Sequence, residues 1–520
     1  MTARARVPLA LAGPAALAVA LVVLPLVYLA IRAAEGGERA WRVLVRASTL
    51  ELVLQTGALV VGVTAAAIAV GLPLAWLVVR TDLPGRRTIG VLAALPLVIP
   101  SYVAALALLG AFGPKGLLQE LLEPLGVERL PEIYGYPGAL LALTLSTYPY
   151  VFLLAVAALR RLDASLEEAA RGLGQTQLGV FRRVTLPALR PAIGAGGLLV
   201  ALYALSDFGA VSLMQYDALT RSIFVQYRSL FDRTPAAVLA LVLVALTAIV
   251  LALEARSRRG AFHRATGVAR PAAPVPLGRW RWPSFAFCCA ALTLFLAVPV
   301  VVLVYWGARG ASLDLAWAAG GRSLLASAIA AAVATVLVLP VAVLAQRHRR
   351  WWTHALERLS FAGNALPGIV IALSLVFFAA NYMPFVYQTL ALLVLAYVIR
   401  FFPQALAGVS SALRAVNPRV EEAARGLGRG PWSVLATVTL PLVRPGLLAG
   451  AALVFLSAMK ELPATLLLRP IGYDTLATEI WKFTSLGSYS RAAPPALLLL
   501  VLSAPLVYLL TVRGGRSGVE

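Results

Sequence analysis

Charged residues are scarce in this 520-residue sequence. Asp, Glu, Lys and Arg together make up 13% of the chain, whereas 60% of the residues are apolar. A soluble protein of this length needs a much larger polar share to cover its core. The composition therefore excludes an ordinary soluble protein and predicts a chain that crosses a membrane many times.

The side chains that most often perform chemistry are also rare. The sequence has 3 His and 2 Cys, and its lysines are Lys115, Lys460 and Lys482. None of these lysines stands in the Gly-Lys-Ser/Thr context that a phosphate-binding P-loop requires. Cys288 and Cys289 are adjacent and form no useful disulfide with each other. We therefore predict no catalytic residue and no cofactor in this chain, and leave metal ligands undetermined.

Long apolar stretches fill most of the sequence. A helix needs about 20 apolar residues to cross the hydrocarbon core of a bilayer. Twelve stretches meet this requirement, and they lie at about 8–31, 57–79, 89–112, 138–159, 191–214, 235–254, 284–307, 323–345, 360–380, 388–412, 446–468 and 494–512. The sequence therefore predicts an all-α polytopic membrane protein with about 12 transmembrane helices.

The basic residues are distributed unevenly between the predicted loops. The formal net charge is +22, and a strong basic cluster follows the sixth span, at residues 256–281. An excess of Lys and Arg marks cytoplasmic loops, so both termini are predicted to be cytoplasmic. Binding of nucleic acid is not expected, because no loop is long enough to fold into a soluble domain.

The second half of the chain repeats the first with an offset of 254 residues. Residues 167–193 and 421–447 are identical at 15 of 27 positions. Each half has six spans, so the halves share one orientation and are related by a pseudo-twofold axis along the membrane normal. We divide the chain into an extra helix with an outer loop (1–54), a first repeated domain (55–255), a cytoplasmic linker (256–283), a second extra helix with an outer loop (284–319), a second repeated domain (320–512) and a cytoplasmic tail (513–520).

The repeated segment after the fourth span has the pattern of a helical elbow. The composition of residues 166–171 predicts a short helix. Its acidic residues lie at the N-terminal end, where negative charge interacts favourably with the helix dipole. Gly172 and Gly174 then end this helix or let a partner approach closely. A second short helix is predicted to end near Pro187, and Pro191 to begin the next span. Because the pattern occurs twice in symmetric positions, we interpret it as a docking element for a dimeric cytoplasmic partner.

The two elbows, residues 164–187 and 418–441, resemble the EAA signature of ATP-binding-cassette (ABC) importer permeases. The signature is Glu-Ala-Ala, three residues, Gly, nine residues, then an aliphatic residue, any residue, Leu and Pro, and both copies fit it in full. The matching residues are Glu168, Ala169, Ala170 and Gly174 in the first copy, and Glu422, Ala423, Ala424 and Gly428 in the second. The resemblance implies two type I (MetI-like) permease halves, in which these residues belong to coupling helices that dock on an ATPase.

The same resemblance implies several partners. Because the chain has no P-loop, ATP and Mg²⁺ are expected on two separate ABC ATPase subunits, one for each elbow. A periplasmic or lipid-anchored solute-binding protein is expected to deliver substrate on the outer side of the inner (plasma) membrane. An ion-driven secondary transporter is the alternative of a different class, since it also uses twelve spans in two halves, but it does not explain the duplicated elbow.

Three ionisable residues occupy equivalent positions within the fifth and eleventh spans. They are Asp207 in the first half and Lys460 with Glu461 in the second. Charges within spans are costly and often mark functional sites. Three interpretations are open: these residues line the substrate path, form an ion pair that locks the two halves together, or mark the outer end of a shorter helix. Arg400, in the tenth span, is expected to pair within the helix bundle.

The residues around these charges resemble the fused ferric-iron permeases. The resemblance lies in residues 207–210 and 460–478, and it implies that ferric iron is the cargo. The fused format also occurs in thiamine permeases, and thiamine, a polyamine, sulfate or a phosphonate are alternative cargoes for the same fold. Fe³⁺ prefers oxygen ligands, and outer-loop tyrosines such as Tyr216 and Tyr473 are either such ligands or interface anchors.

Overall fold

A computed structural model describes residues 9–114, 116–127, 129–229, 234–259, 274–310, 313–348 and 350–516. Eleven helices in these residues are long and apolar enough to cross a membrane, or twelve when one bent pair is counted as a single span. Apart from an isolated bridge between Thr81 and Val275, the regular structure of the described residues is helical. The predicted all-α polytopic fold with about 12 spans is therefore confirmed.

Most helices of the first half recur in the same order in the second half. The first half contains α1 (Leu9–Glu35), α2 (Gly37–Leu44), α3 (Ala47–Arg80), α4 (Arg86–Leu92), α5 (Ser101–Phe112), α6 (Leu117–Leu122), α7 (Tyr136–Arg161), α8 (Ala164–Gly172), α9 (Gln177–Val180), α10 (Leu186–Ser206), α11 (Gly209–Leu213), α12 (Leu219–Ser229) and α13 (Thr234–Arg259). The second half contains α14 (Arg281–Leu292), α15 (Val298–Ala308), α16 (Leu313–Arg347), α17 (Trp351–Ser360), α18 (Gly368–Tyr382), α19 (Leu390–Ala415), α20 (Pro418–Gly426), α21 (Pro431–Val434), α22 (Leu440–Met459), α23 (Pro463–Leu468), α24 (Leu476–Ser485) and α25 (Tyr489–Arg516).

The predicted third and ninth spans are both broken immediately before a long apolar helix. Helices α5 and α18 begin directly after Pro100 and Pro367, and a single 3₁₀ turn precedes each proline. Proline disfavours the helical conformation of the residue before it, so the helix stops and restarts in a new direction. In the second half the two segments differ in direction by 103°.

The fifth and eleventh spans begin and end earlier than predicted: Pro191 lies inside the fifth span instead of beginning it, and the spans end at Ser206 and Met459. The prediction that the second elbow helix ends near Pro187 is wrong, because one continuous helix runs over Gln177–Ser206, and its counterpart over Pro431–Met459. A wide π turn at Phe181–Thr185 precedes Pro187. Proline has no N–H to donate to the preceding turn, and the π turn accommodates this loss without ending the helix.

The two extra helices lie where the halves meet. Helix α1 packs against α13 of the first half and against α16 and α18 of the second. Helix α15 packs against α5 of the first half and α25 of the second. Each extra helix therefore contacts both halves and links them laterally.

Parts of the predicted linker and termini lie outside the described residues. These parts are residues 260–273 of the linker, the first eight residues of the chain and the last four of the predicted tail. The linker residues that follow the gap, from residue 274 onward, contact the first half. The Val275 N–H donates a hydrogen bond to the Arg80 carbonyl at 2.7 Å.

Candidate functional site

Each elbow begins with a capped helix and ends at a glycine with a left-handed backbone. The Asp163 side chain accepts a hydrogen bond from the Ser165 N–H, and Asn417 caps the second copy in the same way. Gly174 and Gly428 have φ values of +80° and +83°. Such glycines end helices in Schellman motifs, in which two backbone N–H groups return to the last turn. The helix–glycine geometry expected from the sequence is thus present in both copies.

The glutamate and the first alanine of each signature lie on the exposed face of the elbow helix. Glu168 and Ala169 are exposed, as are Glu422 and Ala423, whereas Ala170 is half-buried and Ala424 is buried. The EAA and glycine residues therefore occupy the same kind of position in both halves, with their acidic side chains accessible to a partner.

Two leucines that were not predicted as site residues extend this exposed face. Leu173 and Leu427 precede the turn glycines, and each is 84% exposed. Leu178 and Trp432, at equivalent positions farther along, are also exposed. Exposed apolar side chains that recur in the same place indicate an interaction surface. The available signal was the identical repeat EEAARGLG, which contains both leucines.

A buried carboxylate ties the first elbow to the membrane helices. The Glu167 Oε1 accepts a hydrogen bond from the Thr185 hydroxyl at 2.8 Å, and it lies 3.6 Å from Nη2 of Arg80 at the end of α3. The same Arg80 nitrogen donates to the Leu162 carbonyl at 3.3 Å. Because Glu167 and Arg80 are both buried, the elbow helix, α3 and the π turn are held together at one point.

The second elbow repeats this anchor with a shorter ion pair. The Glu421 Oε1 lies 2.9 Å from Arg347 Nη2 at the end of α16 and accepts from the Thr439 hydroxyl at 3.0 Å. Arg347 Nη2 also donates to the Leu413 carbonyl at 3.2 Å. The sequence pattern predicts only a helix-dipole role for the first glutamate of each elbow and does not indicate these anchoring contacts. The signal was the repeated threonine 18 residues after each glutamate.

A cavity of about 630 Å³ lies between the two halves, and we call it the central cavity. Asp207, Lys460, Glu461 and Arg400 all line it. The structure therefore brings together the ionisable residues that the sequence placed in corresponding spans. Asp207, Lys460 and Glu461 lie at helix breaks, since α10 ends at Ser206 and α22 ends at Met459, whereas Arg400 lies within α19.

In the first half, Asp207 is held by neutral donors. The Ser101 hydroxyl donates to its Oδ2, and the N–H groups of Ala210 and Val211 donate to its Oδ1 at 2.9 and 3.3 Å. Asp207 therefore closes the break by capping the short helix that follows. Its carboxylate forms no ion pair with any residue that the structure describes.

In the second half, Glu461 is held by a cation. Its Oε2 lies 3.1 Å from Arg400 Nε, and its Oε1 accepts from the Ala464 N–H at 3.3 Å. Gly368 provides the space for this pair, because a Cβ atom there would collide with the guanidinium and the carboxylate. Both partners belong to the second half. The interpretation that an ion pair of these residues locks the two halves together is therefore wrong, whereas the pairing of Arg400 within the bundle is confirmed.

The outer-loop tyrosines Tyr216 and Tyr473 donate their hydroxyl hydrogen bonds to backbone carbonyls and not to each other. The Tyr216 hydroxyl donates to the Gln55 carbonyl at 2.8 Å, and the Tyr473 hydroxyl donates to the Arg322 carbonyl at 2.7 Å. Burial raises the pKa of both phenols above the usual value, so both remain donors at neutral pH. Among the residues with described positions, no three His, Cys, Asp or Glu side chains are placed to hold a metal ion.

Comparison with known proteins identifies relatives of the whole chain. Residues 67–261 and 338–513 match the family described as the binding-protein-dependent transport system inner membrane component. The chain is 35% identical over 498 residues to an Fe(3+)-transport system permease protein of Haemophilus influenzae, covering 94% of this chain and 95% of that protein.

Other relatives match one half of the chain. A molybdenum transport system permease protein of Mycobacterium tuberculosis is 31% identical over 252 residues, which are 48% of this chain and 94% of that protein. A sulfate transport system permease protein of Salmonella typhimurium is 32% identical over 187 residues, 35% of this chain and 68% of that protein. One half of this chain thus corresponds to nearly all of the molybdenum relative.

Proposed function

This chain belongs to the binding-protein-dependent transport family as a multi-pass inner-membrane permease of an ABC importer, and we propose that its cargo is ferric iron and that two separate ATPase subunits drive it. The iron assignment is supported by the Fe(3+)-transport relative, whose similarity extends through both halves. The sulfate and molybdenum relatives match at most about half of the chain. We place both termini on the cytoplasmic side, in agreement with the distribution of basic residues.

The two elbows are the sites at which the ATPases act. Each presents an exposed EAA face that ends in a leucine that is 84% exposed, so a symmetric ATPase dimer meets two equivalent surfaces. The anchors at Glu167 and Glu421 connect these surfaces to the ends of α3 and α16. Closure of the ATPase dimer on ATP thus moves the membrane helices together with the elbows, because the contact between them is buried and specific.

The central cavity is the substrate pathway in this proposal. It lies between the halves, it is lined by residues from both, and three of its four charged residues lie at helix breaks. Irregular backbone within a membrane is tolerated where it lines a cavity, and transporters commonly bind substrate at such breaks between repeats. A solute-binding protein on the outer side delivers the cargo, and rocking of the two halves opens the cavity towards the cytoplasm.

The decisive experiment measures ATP hydrolysis in proteoliposomes that contain this chain and its ATPase. A solute-binding protein loaded with ferric iron, thiamine or sulfate is added in separate reactions. We expect stimulation by the ferric-loaded protein alone. Stimulation by a protein loaded with another solute would support the importer assignment but contradict iron as the cargo. Solute uptake driven by an ion gradient, with no ATPase bound, would contradict coupling through the elbows.

A further inference from the structure

The two walls of the central cavity are chemically unlike although they are built from equivalent positions. Seven lining positions of the first half correspond to seven of the second at the 254-residue offset, and in five of these pairs both residues are polar. The five polar pairs are Ser146 and Arg400, Tyr150 and Gln404, Tyr203 and Ser457, Ser206 and Lys460, and Asp207 and Glu461. The first wall thus presents hydroxyl oxygens and a carboxylate. The second presents a guanidinium, an ammonium and a carboxylate, together with the Gln404 amide and the Ser457 hydroxyl, which bond to each other at 2.9 Å.

The charges of the two walls are opposite in sign. Asp207 is the charged lining residue of the first wall and gives it a formal charge of −1. On the second wall, Glu461 compensates one of the two cations, Arg400 and Lys460, and leaves a formal charge of +1. The Lys460 ammonium forms no ion pair within the described part of the chain.

Each wall also contains a buried polar atom without a protein partner. Over the described residues, the Tyr102 hydroxyl on the first wall and Arg400 Nη1 on the second have no hydrogen-bond partner. Tyr102 is 3% exposed, so its hydroxyl is cut off from bulk water. Buried polar groups without partners are unfavourable unless a ligand or an ordered water satisfies them. The unsatisfied atoms on the two walls suit different ligands, since a phenol oxygen can approach a hard cation and a guanidinium N–H can donate only to an acceptor.

We propose that the central cavity binds ferric iron together with an oxyanion, with the metal at the oxygen-rich first wall and the oxyanion at Lys460 and Arg400. This inference rests on the proposed iron cargo and specifies the form in which the iron passes. A bare trivalent cation fits poorly, because the lining has no net negative charge and two cations face it. A ferric–oxyanion complex combines a cation with an anion, so its metal can face the negatively charged first wall while its oxyanion faces the positively charged second wall.

The test measures iron and oxyanion uptake at the same time. Proteoliposomes with the complete importer receive binding protein loaded with labelled iron and, in separate arms, labelled phosphate, carbonate or citrate. We expect at least one oxyanion to enter in a fixed ratio to iron. In Lys460→Met the oxyanion-to-iron ratio should fall by about tenfold, which is the effect of losing one hydrogen bond from a charged group.

Lys482→Met is the matched control, because Lys482 is half exposed and lies outside the cavity lining. It should leave the ratio unchanged. Iron uptake with none of the three oxyanions, or an unchanged ratio in Lys460→Met, would overturn the inference while retaining iron as cargo. Absence of any ATP-dependent iron uptake would overturn the iron cargo itself, and this inference with it.

Discussion

At the residue scale, two adjacent glutamates in each elbow lie in opposite environments. Glu421 is buried against Arg347, whereas Glu422 is exposed. Removing one partner of a buried ion pair leaves an uncompensated charge and costs about 3–5 kcal/mol. We therefore predict that Glu421→Ala lowers the thermal stability of the detergent-purified permease, measured by its unfolding temperature.

Glu422→Ala is the control for this substitution, because it removes the same side chain from the exposed face of the same helix. It should leave the unfolding temperature unchanged and weaken retention of the ATPase. Equal unfolding temperatures for the two variants would contradict the anchoring role of Glu421. The first elbow offers the same pair of substitutions at Glu167 and Glu168.

The carboxylates of Asp207 and Glu461, which lie at helix breaks, lead to a second prediction about stability. Ser101 and Gly368 each begin the long apolar helix after a span break, and Ser146 and Arg400 correspond at the 254-residue offset. The halves therefore satisfy their carboxylates by a hydroxyl and by a cation respectively. We predict that Gly368→Ser alone is destabilising, because its Cβ displaces Arg400 from Glu461. The measurement is again the unfolding temperature.

The double variant Gly368→Ser, Arg400→Ser copies the first-half arrangement. It should recover much of the lost stability, because the new hydroxyl can donate to Glu461 in the way that Ser101 donates to Asp207. Arg400→Ser alone should stay unstable, since Glu461 is then buried without a donor from residue 368. A Gly368→Ser protein as stable as the parent would show that the space at this glycine is not needed.

At the element scale, the turn glycines test whether the elbow shape transmits motion. Among the described residues, no atom beyond the adjacent chain lies within 4 Å of a Cβ built on Gly174 or Gly428. A side chain at either position therefore strains the backbone but does not clash with other residues. The left-handed backbone costs a non-glycine residue about 1–2 kcal/mol. We predict that the double variant Gly174→Trp, Gly428→Trp inserts normally but loses coupled transport, and normal transport by this variant would contradict the coupling role of the elbows.

The elbows also illustrate how far an element can be predicted from the sequence. The helix start and the turn glycine follow from local composition, and the structure has both. The continuous helix through Pro187 was not foreseen, because an α-helix normally ends there and a π turn has no clear sequence signal. The burial of Glu167 rather than Glu168 was also missed, because it depends on how the short helix is rotated against α3, which is distant in sequence.

At the scale of the whole molecule, the central cavity depends on the difference between the two halves. The repeat predicts a symmetric pathway, and the positions of the charges at the fifth and eleventh spans follow from it. The remaining wall positions cannot be recognised from the sequence, because Ser146, Tyr150 and Tyr203 are ordinary residues of apolar helices until the fold places them around one cavity. Fusion of the halves in one chain lets the two walls differ, since each half keeps a fixed place in the assembly.

The same fusion leads to a prediction about the number of ATPase subunits. One chain presents two elbows with equivalent exposed leucines, Leu173 and Leu427, so one permease should bind two ATPases. An aspartate at either leucine places a charge in an apolar contact, which is costly unless the charge is paired. We expect Leu173→Asp or Leu427→Asp to retain one ATPase per permease, and the double variant to retain none, when the mass of the purified complex is measured by light scattering.

ATP hydrolysis provides the second measurement for these variants. Because the two ATPases are proposed to act as a closing dimer, either single variant should lose nearly all stimulated hydrolysis although one subunit is still bound. Arg444→Asp on the exposed surface of α22 is the control for added negative charge, and it should retain two ATPases. Two bound ATPases in the double variant would mean that the leucines are not the contact, whereas one ATPase in the unmodified complex would mean that the two elbows are not equivalent docking sites.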